Sequence, residues 1–125
     1  MNAHRHIFVT MDDQPIVERC PIEFTLDVIS GKWKPLIIYY LLEETRRFGE
    51  LQRCIPQVNR RMLTKHLREL EADGIVHREV YKQVPPKVEY SLTEKGHSLR
   101  PILEMMLTWG ESHVAEAKSE PEATG

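Results

Sequence analysis

Long apolar segments and internal repeats are absent from this chain of 125 residues. Its longest apolar run, Leu36–Leu42, is far shorter than the roughly 20 residues that a membrane-spanning helix needs. The N-terminal stretch contains His4, Arg5 and His6, and Ile7–Val9 is too short for the apolar core of a secretory signal. We therefore expect one domain that is cytoplasmic and has no membrane partner.

Cysteine-rich patterns and catalytic motifs are missing as well. Two cysteines, Cys20 and Cys54, are too few for a disulfide framework or a cysteine metal cluster. The chain has no glycine-rich phosphate loop, no paired carboxylates and no Ser/His/Asp spacing. Among its 6 histidines, only His4 and His6 stand close together. We expect no enzymatic activity, no cofactor and no metal.

The net charge of −2 conceals a segregation of charge along the chain. Residues 1–45 carry 4 basic and 7 acidic side chains, and residues 101–125 carry 1 basic and 5 acidic side chains. Residues 46–100 carry 12 basic and 7 acidic side chains. A basic middle between acidic ends indicates a localised surface that binds a polyanion.

Apolar residues recur at helical spacing in four stretches, at residues 22–29, 33–42, 48–55 and 60–73. The second stretch is apolar on most of its sides, which predicts the centre of the core. The fourth begins after Asn59, a good N-cap, and stops at Gly74, which suits the left-handed position after a helix.

Beyond Gly74 the apolar period falls to two, which predicts a pair of strands joined by a loop over Gln83–Pro86. A last helix follows the N-cap Thr93, restarts at Pro101 and ends near Val114. The predicted fold is mainly α with a small β-hairpin, a winged helix-turn-helix. We expect residues 1–19 to form a flexible arm, residues 20–114 the folded domain and residues 115–125 a disordered tail.

The fourth helix separates its cations from its apolar residues. At about 100° per residue, the cations fall in one arc and the leucines in the opposite arc. This arrangement is typical of a recognition helix, whose polar arc enters the major groove of DNA. A solvated amphipathic helix would show a similar pattern, but its exposed face usually mixes acids with bases. The predicted DNA contacts on this helix are Asn59, Arg60, Arg61, Thr64, Lys65 and Arg68.

The predicted hairpin adds Lys82 and Lys87 on either side of its proline pair. A projecting wing with a lysine at each shoulder reaches the DNA backbone or the minor groove beside the helix. Lysine acts there as a point charge, which adds affinity and salt dependence but little sequence preference. The alternative is an exposed hairpin with ordinary solubilising lysines.

The last helix carries a heptad seam. Its members follow steps of 3 and 4 residues and are Leu99, Ile102, Met106, Trp109 and His113. This apolar surface predicts a partner chain, most simply in a two-fold homodimer. A dimer places two recognition helices about one DNA turn apart, where they read an inverted repeat. The alternative is that the seam completes the core of the single chain.

Residues 20–112 resemble the HxlR-type winged-helix regulators of bacteria. The resemblance is carried by Cys20-Pro21-Ile22-Glu23, Leu26, Gly31-Lys32-Trp33, Phe48, Glu50-Leu51, Met62-Leu63-Thr64, Leu67, Leu70-Glu71, Gly74, Pro85-Pro86, Val88–Thr93, Gly96 and Trp109-Gly110. One departure is Val58-Asn59, where the family more often has Ile-Ser. Since Asn and Ser both cap helices, this departure concerns base preference and leaves the fold unaffected.

The resemblance implies a dimeric transcription factor that binds double-stranded DNA, with its first and last helices forming the dimer interface. Ile22 and Leu26 would join the seam of the last helix there. The resemblance also implies that Cys20 matches a cysteine that senses electrophiles or oxidants in some members. The neighbouring Arg19 and a following helix start favour a thiolate, which Glu23 opposes; a merely structural thiol is the alternative.

Two other function classes compete with this interpretation. An enzyme is disfavoured by the missing catalytic motifs. A winged-helix protein-interaction module without DNA affinity is opposed by the cationic arc of the fourth helix. A salt titration separates the two binding functions, because only DNA binding gives a steep logarithmic dependence on salt.

Overall fold

The structure of the chain is a computed structural model, and it describes residues 7–9 and 17–119. The described part contains four strands and six helices. In chain order they are β1 (Ile7–Val9), β2 (Val17–Arg19), α1 (Pro21–Ile29), α2 (Trp33–Glu43), α3 (Phe48–Cys54), α4 (Arg60–Ala72), β3 (Val76–Tyr81), β4 (Lys87–Leu92), α5 (Glu94–His97) and α6 (Arg100–Ser119).

A short antiparallel strand pair precedes α1. Ile7 of β1 is the partner of Arg19, and Val9 is the partner of Val17. The sequence predicts an arm without regular structure over residues 1–19, and the described part of that arm forms this ladder instead. Strands of 3 residues are too short for alternation to be recognised in a sequence. The rest of the arm lies outside the described residues.

Helix α2 is the central element of the core, as its sequence predicts. Ile37 and Ile38 are fully buried, and Leu41 is 2% exposed. The helix packs against α3, α4, α6 and β4, so its apolar side chains have neighbours on most sides. The one buried charged side chain among the described residues is Lys34, near the start of the same helix.

Helices α3 and α4 form the helix-turn-helix. Helix α3 ends at Cys54, and the buried side chain of Val58 holds the turn against the core. Gln52 of α3 donates a hydrogen bond to the carbonyl oxygen of Val58. The N-cap Asn59 then accepts a hydrogen bond from the backbone N–H of Met62 at 2.8 Å. The predicted turn and cap are confirmed.

Helix α4 ends in the left-handed turn that Gly74 predicts. Gly74 has a φ of 76°, a region that costs side chains with a Cβ atom. Its N–H donates to the Glu71 carbonyl at 3.0 Å, and the N–H of Ile75 donates to the Leu70 carbonyl at 2.9 Å. This pair of bonds with buried Leu70 and Ile75 is a Schellman motif, and it turns the chain into β3.

Strands β3 and β4 form the predicted hairpin. Their register runs from Val76 opposite Leu92 to Tyr81 opposite Lys87. Arg46, between α2 and α3, exchanges two backbone hydrogen bonds with Tyr90, of 3.0 and 2.8 Å. The wing is therefore fastened to the body along β4, and the winged helix-turn-helix prediction is confirmed.

The path from the hairpin to α6 turns within a small space. Thr93 caps α5 by accepting the N–H of Gly96 at 3.0 Å, as predicted. A Cβ atom on Gly96 would overlap the carbonyl oxygen of Ile75 and approach Leu92 Cδ2 to 3.1 Å. Glycine is required at this position because two backbone segments approach closely there.

Helix α6 begins at Arg100, with Pro101 as its second residue, and continues to Ser119. The sequence predicts an end near Val114 and a disordered tail from residue 115, so the helix is longer than expected. Two alanines, a glutamate and a lysine follow Val114, and all three residue types are good helix formers. The last six residues lie outside the described part.

Candidate nucleic-acid interface

Helix α4 is mounted on the body by one apolar side. Leu63 and Leu70 are fully buried and Leu67 is 2% exposed, so three turns of the helix are anchored. The exposed face carries the predicted cations. Arg60, Arg61, Lys65 and Arg68 are exposed, and Thr64 is half-buried. The four cations border one shallow groove of about 530 Å³ along this helix, and none of them turns inward.

The first cation of α4 is held by the helix before it. The Arg60 guanidinium lies 4.8 Å from the centre of the Phe48 ring, at the start of α3. A cation stacked on a ring loses less freedom when it binds a second partner. This contact aligns Arg60 at the N-terminal end of α4, the part of a recognition helix that reaches base edges.

Lys65 is less free than its position in the sequence indicates. Its Nζ lies 2.9 Å from Glu69 Oε2, and the other oxygen of Glu69 lies 2.8 Å from Lys34 Nζ. Hydrogen bonds from Lys34 and Lys65 lower the pKa of Glu69 to about 2. The Lys34 side chain is 10% exposed, so α2 reaches the recognition helix through this carboxylate. Sequence reasoning missed the contact because Lys34 and Glu69 are 35 positions apart.

The two predicted wing lysines differ in their surroundings. Lys82 is exposed at the loop. Lys87 is half-buried, with its Nζ 3.4 Å from Glu89 Oε2 and 4.8 Å from the centre of the Tyr81 ring. The hydrogen bond from Tyr81 to the Glu89 carboxylate raises the pKa of the tyrosine. Much of the Lys87 charge is therefore compensated within the hairpin, which makes it a weaker candidate than Lys82.

A third wing cation, Arg78, was not among the predicted contacts. It stands opposite Tyr90 in the hairpin register, and both residues line a cleft beside Arg68 of α4. Alternation along β3 places Arg78 on the same side as the buried Val76, so the sequence pattern alone does not indicate that Arg78 is exposed. The cleft forms only where the hairpin packs against α4.

The sequence of this chain matches a known protein family. The HxlR-like helix-turn-helix family matches residues 28–118. The chain belongs to this family. An uncharacterized HTH-type transcriptional regulator of Bacillus subtilis strain 168, YybR, is 62% identical over 99 residues, which are 79% of each chain. A second regulator of that strain, YdeP, is 56% identical over 96 residues, 77% of this chain and 75% of its own.

Solved structures agree with the family assignment. The redox regulator HypR in its reduced form is 59% identical, with a TM-score of 0.76 over 80% of this chain and 99% of that one. Its oxidized form is 63% identical, with a TM-score of 0.72 over 74% and 96%. The chain is therefore a DNA-binding transcriptional regulator of the HxlR-like family. A protein-interaction module without DNA affinity is not favoured.

The helix that carries the predicted seam has one buried and one exposed apolar side. Leu99, just before α6, and Leu103 are 8% and 4% exposed, and both belong to the core of the single chain. The prediction that Leu99 faces a partner is therefore wrong. With 8% of its surface exposed, Leu99 has little side-chain area left for a second chain. The alternative of a seam that completes the chain's own core holds for this one position.

Of the remaining members of the seam, His113 is half-buried and the other three are exposed. Ile102 is 39%, Met106 46% and Trp109 66% exposed, and they border an open apolar hollow of about 510 Å³ with Pro101 and Met105. On α1, Ile22 is 68% and Leu26 54% exposed. Each of these two helices thus has apolar side chains in solvent, beside a core that is already filled.

Both cysteines are free and half-buried. Cys20 is the residue before α1, where its carbonyl oxygen accepts the N–H of Glu23 at 2.8 Å. Cys54 ends α3 and packs against the core. No group of three potential metal ligands occurs among the described residues, which exclude His4 and His6. None of the described helices is long and apolar enough to cross a membrane.

Proposed function

We propose that this HxlR-like regulator reads double-stranded DNA with α4 in the major groove and the β3–β4 hairpin beside it. The observation that carries the proposal is the row of exposed arginines on a helix anchored by buried leucines. Arg60 and Arg61 at the N-terminal end are the base-reading candidates, since arginine binds a guanine edge with two hydrogen bonds. Asn59, Thr64, Lys65, Arg68, Lys82 and Lys87 are candidates for backbone contacts.

The regulator acts as a homodimer in this proposal. Exposed apolar side chains clustered on one side of α6 and on α1 support it, because clusters of this kind mark protein interfaces. Ile22, Leu26, Ile102, Met106 and Trp109 are the proposed interface residues. A two-fold axis between paired α6 helices presents two copies of α4 to the same DNA face. The expected operator is an inverted repeat with half-sites about one helical turn apart.

Cys20 is the proposed control point. It lies directly before α1, whose exposed residues Ile22 and Leu26 are proposed to contact the partner. The similarity to the protein described as the redox regulator HypR supports thiol control. An adduct at Cys20 would change the space available to α1 and hence the spacing between the two recognition helices.

The experiment that tests DNA recognition is selection from a library of random duplexes with the purified protein. We expect enrichment of one inverted-repeat sequence, and a logarithmic salt slope near −0.9 for each phosphate contact. Failure to enrich any sequence, together with binding that does not respond to salt, would contradict the proposal. Sedimentation of the free protein tests the dimer.

Thiol control is tested on the selected duplex before and after alkylation with iodoacetamide. Mass spectrometry establishes that the thiol has reacted. Alkylated Cys54→Ser protein, which keeps Cys20, is expected to bind DNA more weakly than the untreated variant. The matched Cys20→Ser variant is expected to bind equally well before and after treatment. Equal binding by fully alkylated Cys54→Ser protein would end the sensing hypothesis.

A further inference from the structure

A cleft of about 290 Å³ separates the exposed face of α4 from the hairpin. Its walls come from two elements that are adjacent in the chain but run side by side in space, because the Schellman turn at Gly74 reverses the direction. The lining residues are Thr64, Leu67, Arg68, Glu71, Arg78 and Tyr90. Two arginines and two residues that carry a hydroxyl group therefore border one small space.

The hairpin register explains why Arg78 reaches this cleft. Residues directly opposite each other in an antiparallel pair project to the same face, so Arg78 and Tyr90 share a face. Two positions earlier on that face, Val76 pairs with Leu92, and both are buried. This face of the hairpin is therefore buried next to the body, and it carries Arg78 farther from the body. The opposite face carries Lys87 with its partner Glu89.

The charges around the cleft are unequal. Arg68 and Arg78 are exposed, and neither has a hydrogen bond or ion pair within the described part of the chain. Glu71 is the only acid in the lining, so two cations face one anion. Arginine pairs with phosphate through two parallel hydrogen bonds, and hydroxyl groups such as those of Thr64 and Tyr90 commonly donate to phosphate oxygens.

We propose that this cleft binds one backbone phosphate of the DNA, between the segment read by α4 and the segment beside the wing. Arg68 and Arg78 are its two cationic arms, and Glu71 opposes them. The site deepens the proposed function and rests on it, since it needs α4 in the major groove. In this proposal Arg78 is the wing cation that contacts the DNA backbone, a role that the sequence predicts for Lys87.

The test is a salt titration of binding to a mixed-sequence duplex of about three helical turns, with full-length protein. Arg78→Gln is expected to lower affinity about tenfold at low salt. Its logarithmic salt slope is expected to fall by about 0.9 for each protomer bound. Arg78→Lys keeps the charge, so it should restore the slope and only part of the affinity.

The matched control for charge is Lys95→Gln. Lys95 Nζ donates to the Asp73 carbonyl at 3.1 Å, at the end of α4 opposite the reading end, so its loss should change affinity by less than about twofold. Glu71→Gln is expected to have the reverse sign and to raise affinity several-fold, because it removes the anion from the cleft. Thermal unfolding of each variant verifies the fold, and we expect little change because these side chains are exposed.

The outcomes separate the inference from the proposed function. If Arg78→Gln binds as the wild type does, or loses no more affinity than Lys95→Gln, the phosphate site is wrong while DNA binding stands. If the wild type has no affinity for the duplex, the proposed function itself fails. Replacement of chloride by inorganic phosphate at equal ionic strength should weaken DNA binding by the wild type more than by Arg78→Gln, because free phosphate competes for the same cleft. An equal effect on the two proteins would show that Arg78 does not hold a phosphate group.

Discussion

Helices α4 and α6 are both amphipathic, yet they present opposite chemistry to solvent. Helix α4 buries Leu63, Leu67 and Leu70 and exposes cations. Leu103 of α6 is buried together with Leu99 just before the helix, and the helix then exposes methionines, an isoleucine and a tryptophan. The buried side of each helix serves the same core. Only the exposed sides distinguish their proposed partners, a polyanion for α4 and an apolar surface for α6.

A regular helical period of apolar residues does not by itself show which of those residues are buried. The seam of α6 begins at Leu99, which is in the core, and continues to Trp109, which is in solvent. A helix that packs on the body near one end and leaves it at the other changes neighbours along a single stripe. Helix α4 has no such change, since its three leucines remain buried over its whole length.

The largest effect is expected from substitutions on the exposed side of α6. A double variant with Ile102→Glu and Trp109→Glu places two carboxylates in the proposed interface, so we expect a monomer in sedimentation. Operator affinity should fall by about 10²- to 10⁴-fold, because the second half-site no longer benefits from the linked first one. Thr108→Glu, at a position that lies roughly 100–120° around the helix from both substituted residues, is the control. A double variant that still sediments as a dimer would place the interface elsewhere.

The next effect concerns the buried side of α4. Leu67→Ala should lower the free energy of unfolding by about 2–5 kcal/mol, because it leaves a cavity in the core. Met105→Ala, 66% exposed on α6, should change it by less than about 0.5 kcal/mol in the monomeric double variant. Urea unfolding curves measure both values. Equal losses of unfolding free energy in the two variants would mean that Met105 is buried within the single chain.

A smaller effect distinguishes the cations of α4 from one another. Arg61→Ala should cost about 1–3 kcal/mol of operator binding and relax base preference at one position. Lys65→Ala should cost less and act alike on all sequences, because Glu69 already compensates its charge. Competition titrations with operators changed at single base pairs separate the two outcomes. Intact operator binding after joint replacement of Arg60 and Arg61 would show that other residues read the bases.

The smallest effect concerns the link between α2 and α4. The pKa of Glu69 is lowered from 4.5 to about 2, so its ion pairs stabilise the fold above pH 4.5. That stabilisation is lost as the pH falls toward 2. The Glu69 side chain is 40% exposed, and its carboxylate is faced by Lys34, Lys65 and His66, so solvent screening keeps the contribution at about 1 kcal/mol.

Urea unfolding near pH 6 and near pH 3 measures this dependence. Glu69→Gln should be less stable than the wild type at the higher pH and should lose less stability on acidification. Lys65→Gln is the matched control, because it removes the exposed arm and leaves the contact with Lys34. An unchanged pH dependence in Glu69→Gln would contradict the assignment of the shift to these ion pairs.

Most elements of the fold were predictable because their signals are local. Asn59, Gly74 and Thr93 mark helix ends through bonds within a few residues, and each is recognisable by residue type. The change of apolar period after Gly74 predicts the hairpin for the same reason. The strand pair β1–β2 was missed because it is too short to show a period.

The candidate site was predictable only in part. The arcs of α4 follow from helix geometry alone, so the exposure of Arg60, Arg61 and Arg68 could be expected. The compensation of Lys65 depends on Lys34, which α2 supplies from a distant part of the chain. The half-burial of Lys87 depends on the opposite strand.

Local sequence sets which face of each helix is apolar and where most of the elements begin and end, because these properties depend on neighbours along the chain. Tertiary structure decided which charges meet and which stay open. Glu69 joins α2 to α4, Leu99 sinks into the core, and Arg78 turns toward α4 only because separate elements pack together. The spacing of residues in the sequence does not specify the distances between side chains that belong to different elements.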